Sequence, residues 1–90
     1  MDNDMIELRA SVKLEHPDAI ILCRINGCYR AYDEDADACA KILNTAVHLP
    51  ISGHAYTDFF HSDLEECLSK IIRAGKRAVI IENLIDPKKK

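Results

Sequence analysis

The run Ala19-Ile-Ile-Leu-Cys-Arg-Ile25 constrains this chain more than any other stretch. Apart from Arg24 it is unbroken apolar sequence, bounded by Pro17 before it and Asn26-Gly27 after it. So short an apolar run, closed by turn signals at both ends, reads as a strand buried on both faces rather than on one. A strand covered twice needs a layer of structure on each side of its sheet, and the rest of the chain must supply both.

The flanking patterns are helical. Residues 4–15 place Met5, Leu8 and Val12 on one face, with Asp4 as N-cap, and Pro17 forces the stop because the residue before a proline avoids helical geometry. Asp33 is expected to cap a second helix through Leu43, with Ala36, Cys39, Ala40 and Leu43 inward and Asn44 as the stop. The acids Asp33, Glu34, Asp35 and Asp37 crowd its start. Acids there are favourable to the helix dipole by about 0.3–1 kcal/mol each, which accounts for them without a metal or a catalytic carboxylate pair. Thr45–Leu49 is expected as a second strand, 50–53 as a turn, and 56–61 as irregular. Ser62 with Glu65 forms a capping box for a third helix, whose apolar face is Leu64, Cys67, Leu68, Ile71 and Ile72 and whose end is Gly75. Ala78–Ile81 is a third buried strand, and 83–87 a short helical turn. The alternation of helix and strand predicts an α/β fold: a small mixed β-sheet of at least three strands flanked by helices.

Ninety residues make one domain, 1–90, with 87–90 expected as a flexible Lys tail. The net charge of −3 argues against tight autonomous DNA binding, which draws on a basic surplus, although Lys70, Arg73, Lys76, Arg77 and the tail gather cations in the last third. No apolar run approaches ~20 residues and the chain starts Met-Asp-Asn-Asp, so a cytoplasmic protein with no membrane partner is expected. Cys23, Cys28, Cys39 and Cys67 form no CxxC pair and are expected reduced; with His16, His48, His54 and His61 they match no ligand spacing, so neither metal nor cofactor is expected. There is no GxGxxG or GxxxxGK[ST]. Ser52-Gly53-His54 and His61-Ser62 are neighbours in sequence only, and no enzyme activity is expected.

The segment Arg24-Ile-Asn-Gly-Cys-Tyr-Arg-Ala-Tyr-Asp-Glu-Asp-Ala36 resembles the stretch by which the N-terminal domain of the MutS DNA mismatch repair proteins reads a mispaired base. The resemblance runs from His16 to Pro87. It takes in His16-Pro17-Asp18, Ala40-Lys-Ile-Leu43, Pro50-Ile-Ser-Gly53 with Tyr56, Leu68-Ser-Lys70 with Gly75, and Ala78-Val-Ile-Ile-Glu82 with Asp86-Pro87. It implies the fold of that domain and an association with mismatch repair. The family's base-reading Phe and Glu fall at Cys28 and Arg30. Cys has no aromatic face to stack on a base, an interaction of about 1–3 kcal/mol, and Arg donates where Glu accepts. The family's basic loop has no counterpart between Asn44 and Pro50. Some family subunits lack the same two residues and act as the non-reading partner of a heterodimer.

Two functions compete. The first is weak, accessory DNA binding, on duplex or mismatched DNA, through Cys28, Arg30, Tyr29, Arg24, Lys76 and Arg77. Arg30 would favour a phosphate or a guanine edge, while strand alternation points Tyr29 into the core and Arg24 has a structural alternative as a strand-edge charge. The second is a protein-interaction module, docking on a full-length mismatch repair protein or on itself, with Tyr56, Phe59 or Phe60 as anchors.

Overall fold

The structure, a computed structural model, describes residues 2–51 and 53–82. The turn expected at 83–87 and the Lys tail lie outside the described residues. The sheet has four strands, β1 (Ala19–Ile25), β2 (Cys28–Tyr32), β3 (Tyr56–Phe60) and β4 (Arg77–Ile81), in the order β3-β2-β1-β4. β1 pairs antiparallel with β2 and parallel with β4, and β2 pairs antiparallel with β3, so the sheet is mixed. Two helices, α2 (Asp33–Leu43) and α3 (Leu64–Arg73), pack on one face, and α1 (Asp2–Glu15) packs on the other.

The double burial of β1 follows from this layering. Ile20 and Leu22 point into the α2/α3 layer with Tyr29, Ala31, Phe59, Cys39, Cys67 and Ile71. Ala19, Ile21 and Cys23 point at Met5 of α1, beside Tyr32 and Ile81. Asn26, in the left-handed region at φ 55°, turns β1 into β2. The chain then enters α2, which ends at Asn44 in the left-handed conformation (φ 61°, ψ 47°), as its sequence led one to expect. Gly75 (φ 83°) closes α3 in the same way, with the Lys76 N–H reaching back to the Ile71 carbonyl at 3.1 Å.

Five local expectations are corrected. Thr45–Leu49 is not a strand: only His48 makes a bridge, to Tyr56, and Leu49 and Ile51 are exposed. The strand is instead 56–60, the stretch expected to be irregular. There Thr57 lies buried, bonded to Thr45 Oγ1 and the Ala46 carbonyl (2.8 Å each), and Asp58 is paired with Arg30, so its polar residues are satisfied by partners from elsewhere. Ser62 sits in a 3-10 turn, His61–Asp63, and no side chain caps α3. Ile72 of the expected apolar face is exposed, because α3 meets the sheet through Cys67 and Ile71. α1 begins at Asp2, ahead of Asp4.

Asp35 does more than favour the α2 dipole. It is 2% exposed, and its carboxylate accepts hydrogen bonds from Arg9 Nη2 (3.0 Å), Lys13 Nζ (2.7 Å) and the Ile21 N–H (3.1 Å). Arg9 also donates to the Tyr32 carbonyl at 3.2 Å, and Lys13 to that of Ala19 at 2.7 Å. α1 buries only Met5 among its apolar residues, with Ile6, Leu8 and Val12 partly covered. The Asp35 cluster therefore decides where α1 sits: over β1, β4 and the end of β2, leaving the β2–β3 part of that face open.

Candidate nucleic-acid interface

Period-2 alternation puts Cys28, Arg30 and Tyr32 of β2 and Tyr56, Asp58 and Phe60 of β3 on the α1 side of the sheet. They meet as cross-strand pairs, Cys28 with Phe60, Arg30 with Asp58 and Tyr32 with Tyr56. Tyr32 is buried in the α1-side cluster and Tyr56 packs against it; Cys28, Arg30, Asp58 and Phe60 continue as a half-buried to exposed strip toward the sheet edge.

Arg30 is the centre of that strip. Its Nη2 and Nε donate to Asp58 Oδ2 at 3.0 and 3.3 Å, and its guanidinium lies 3.9 Å from the centroid of the Tyr56 ring. His48 packs on the same ring at 5.0 Å between centroids. Burial works to lower the Arg30 pKa, but hydrogen bonds to Asp58 and Tyr32 outweigh it and hold the group above its ordinary value. The guanidinium is thus charged, fixed in plane and matched by a carboxylate.

The six residues named from the sequence do not form one surface. Cys28 and Arg30 share the strip. Tyr29 points through the sheet into the core, 2% exposed, stacked on His61 (5.7 Å) and tilted against Phe59 (5.8 Å). Arg24 shares Tyr29's face, lies over its ring at 5.5 Å, donates to the Asn26 carbonyl and pairs with Glu82 at 3.6 Å. Lys76 and Arg77 are exposed at the opposite end of the sheet. Arg77 pairs with Ala19 where Arg30 pairs with Cys23, so the two backbones are roughly 16 Å apart at ~3.3 Å per residue and ~4.8 Å per strand. Among the described residues neither Lys76 nor Arg77 has an ion-pair partner.

The sequence reading missed Asp58 as the partner of Arg30. The available signal was the alternation in Tyr56-Thr-Asp-Phe-Phe60, with Thr57 and Phe59 on one side and Tyr56, Asp58 and Phe60 on the other. Of the three aromatic anchors considered, Phe59 is buried, Tyr56 is beneath Arg30, and Phe60 stands free at 68% exposure. Nearby, His54 Nδ1 meets Asp33 Oδ2 at 2.9 Å, and Asp33 takes φ 54° at the start of α2. Among the described residues no three His, Cys, Asp or Glu side chains gather to hold a metal ion, and no helix is long and apolar enough to cross a membrane.

A family model described as MutS domain I matches residues 4–90. The DNA mismatch repair protein MutS of Porphyromonas gingivalis is 39% identical to this chain over 82 residues, covering 87% of the chain and 9% of that protein. The protein of the same name from Christiangramia forsetii is 38% identical over 81 residues, with the same coverage. That of Bacteroides fragilis is 38% identical over 88 residues, covering 93% of the chain and 10% of that protein. The chain spans about a tenth of the length of these curated relatives.

Proposed function

The chain belongs to the MutS domain I family, and from that premise we propose that it is a mismatch-repair-related, non-catalytic cytoplasmic domain that associates weakly with DNA through the phosphate backbone. Its relatives' printed name, DNA mismatch repair protein, supports the pathway. The observation that carries the finer reading is the engagement of Arg30. A guanidinium already bonded to Asp58 and stacked on Tyr56 has to surrender those contacts before it can address a base edge. Cys28 beside it offers no aromatic face. Base reading by this pair is therefore lost, and Lys76, Arg77 and Arg24 supply backbone contacts.

The test is fluorescence anisotropy of matched duplex over a salt series. Weak binding whose affinity falls steeply with salt is expected, with the log–log slope shallower by about 2 when Lys76 and Arg77 are both replaced by Ala, at about 0.9 per phosphate contact. Replacing Arg30 by Ala is expected to leave the slope unchanged, because Asp58 already balances its charge. Absence of binding at low salt would reject the reading in favour of the second, a protein-docking module. The exposed Leu49 and Ile51 on the 45–53 connection, with the net charge of −3, favour that alternative.

A further inference from the structure

The sheet has a hollow at the end where its two parallel strands, β1 and β4, begin. β1 is entered from α1 through Pro17 and Asp18, and β4 from α3 through Gly75 and Lys76. α1 and α3 lie on opposite layers, so the two connections arrive from opposite sides and leave the strand ends uncovered between them. The result is a cavity of about 560 Å³, lined by Ala19 and Ile20 of β1, Lys13 of α1 and Ala38 of α2. Sites for small molecules typically measure about 300–1,000 Å³.

The backbone around the cavity is fixed. Lys13 Nζ donates to the Ala19 carbonyl and to Asp35 Oδ1, both at 2.7 Å. Arg77 is in register with Ala19 in the parallel ladder, and the Lys76 N–H donates to the Ile71 carbonyl at 3.1 Å. The charges that line the cavity are unequally committed. Asp35 is shared by Arg9 and Lys13, and Glu34 meets Arg9 at 3.4 Å. Among the described residues, Lys76, Arg77 and Asp18, which all line the cavity, have no ion-pair partner. Two cations against one carboxylate therefore remain for a ligand, and they favour an anion.

A phosphomonoester carries about −1.5 to −2 charge at neutral pH. Lys meets it as a point charge, and Arg through paired donors. A backbone phosphodiester is tied to its chain on both sides and runs past a cavity, whereas a terminal phosphate can enter one. The apolar part of the lining suits the body that such a phosphate is attached to.

We propose that this cavity is a binding site for an organic phosphate of nucleotide size, with Lys76 and Arg77 on its terminal phosphate and its body against Pro17, Ala19 and Ala38. The assignment does not rest on the DNA association proposed above. A free nucleotide and a phosphorylated DNA end present the same group, and the test separates them.

The test is a titration of the protein with adenosine monophosphate, followed by amide shifts in proton–nitrogen NMR spectra. Saturable shifts centred on Ala19, Ala38 and Gly75 are expected, and none with adenosine. Arg77→Ala is expected to weaken binding about 10-fold, the loss of a hydrogen bond to a charged group, and Asp18→Asn to tighten it. Arg73→Ala removes an exposed cation of α3 outside the cavity and is expected to change nothing. Displacement of the nucleotide by a duplex with phosphorylated ends, and not by the same duplex without them, identifies a DNA end as a source of the phosphate. Displacement by neither identifies the free nucleotide. Adenosine binding as tightly as its monophosphate, shifts that do not saturate or that centre elsewhere, equal losses in Arg77→Ala and Arg73→Ala, or equal displacement by both duplexes would each overturn the assignment and leave backbone association standing.

Discussion

The α1 side of the sheet carries two clusters of charge that use the same chemistry to different ends. Around Asp35, two cations and a backbone N–H close on a carboxylate that is 2% exposed, and the three elements they come from are fixed to one another. Around Asp58, a single arginine meets a carboxylate in a strip that solvent reaches, and both partners already lie on adjacent strands held by their own ladder. The first cluster joins parts of the chain that the backbone does not join. The second arranges side chains on a backbone that is already fixed. Desolvation makes the difference: a buried charge stripped of its partner costs far more than a half-exposed one, which water can take over.

That contrast breaks most visibly at Asp35. Its replacement by Ala leaves Arg9 and Lys13 facing the interior without their carboxylate, and a loss of about 3–5 kcal/mol is expected. Small domains have about 5–15 kcal/mol of stability in all. Urea unfolding should show a much lower midpoint for this variant, whereas Arg30→Ala, in the open cluster, should cost less than about 1 kcal/mol. Similar costs at the two sites would show that burial does not separate them.

A charge reversal probes the open cluster more finely. Arg30→Glu sets a carboxylate directly opposite Asp58, and like charges across an antiparallel pair repel. It is expected to be less stable than Arg30→Ala by up to about 1 kcal/mol, and Asp58→Arg in the same chain should restore the difference. A double-mutant cycle by urea unfolding measures this. If Arg30→Glu matches Arg30→Ala, Asp58 does not fix the arginine.

The helices and β1 were legible in the sequence because each is set by neighbours within a few residues: Pro17 against α1, Asn44 after α2, Gly75 after α3, and apolar continuity in β1. Family membership was legible for a similar reason, since its motifs are short and ordered along the chain. What escaped depends on partners far along the chain. Asp35 lies 22 and 26 residues from Lys13 and Arg9, and Arg30 lies 28 from Asp58. A first-turn acid reads the same whether it faces water or two buried cations, and a Tyr-Thr-Asp-Phe-Phe run looks irregular until the partners of its Thr and Asp are known. The strip was half legible: Cys28 and Arg30 were singled out, and the residues that decide what they do, Asp58, Tyr56 and the free Phe60, sit on the strand that was not expected.

The thiols report the same division with a smaller effect. Burial pushes Cys23, beneath α1, up to about 11, and Cys39, in the opposite layer, up to about 12, from an ordinary 9.0. The folded chain therefore holds these protons where the unfolded chain releases them. The stability this contributes is complete below pH 9 and drains away as pH rises toward 11–12. Urea midpoints should fall between pH 9 and 11, and Cys39→Ala should reduce the slope of that fall. In native protein, a thiol reagent should reach the half-exposed Cys28 first and Cys23 and Cys39 only as the chain opens. Equal labelling rates for Cys28 and Cys23 would mean that α1 does not shield the sheet.

The smallest expected effect on stability is at Phe60, and its smallness is the informative part. Removing a ring that is 68% exposed and touches no other ring takes away little packing, so Phe60→Ser should fall within about 0.5 kcal/mol of wild type in urea unfolding. An exposed aromatic whose loss the fold does not feel is kept at a cost in solubility alone, unless something outside the chain covers it. A loss of more than about 1.5 kcal/mol would place the ring among the groups that hold the β2–β3 edge together. The open half of the sheet face would then belong to the fold, as the closed half does, and the difference between the two charge clusters would be one of degree. A neutral result keeps them distinct: Asp35 joins α1, β1 and α2, and the Arg30–Asp58 pair with Phe60 lies on a ladder that is already fixed.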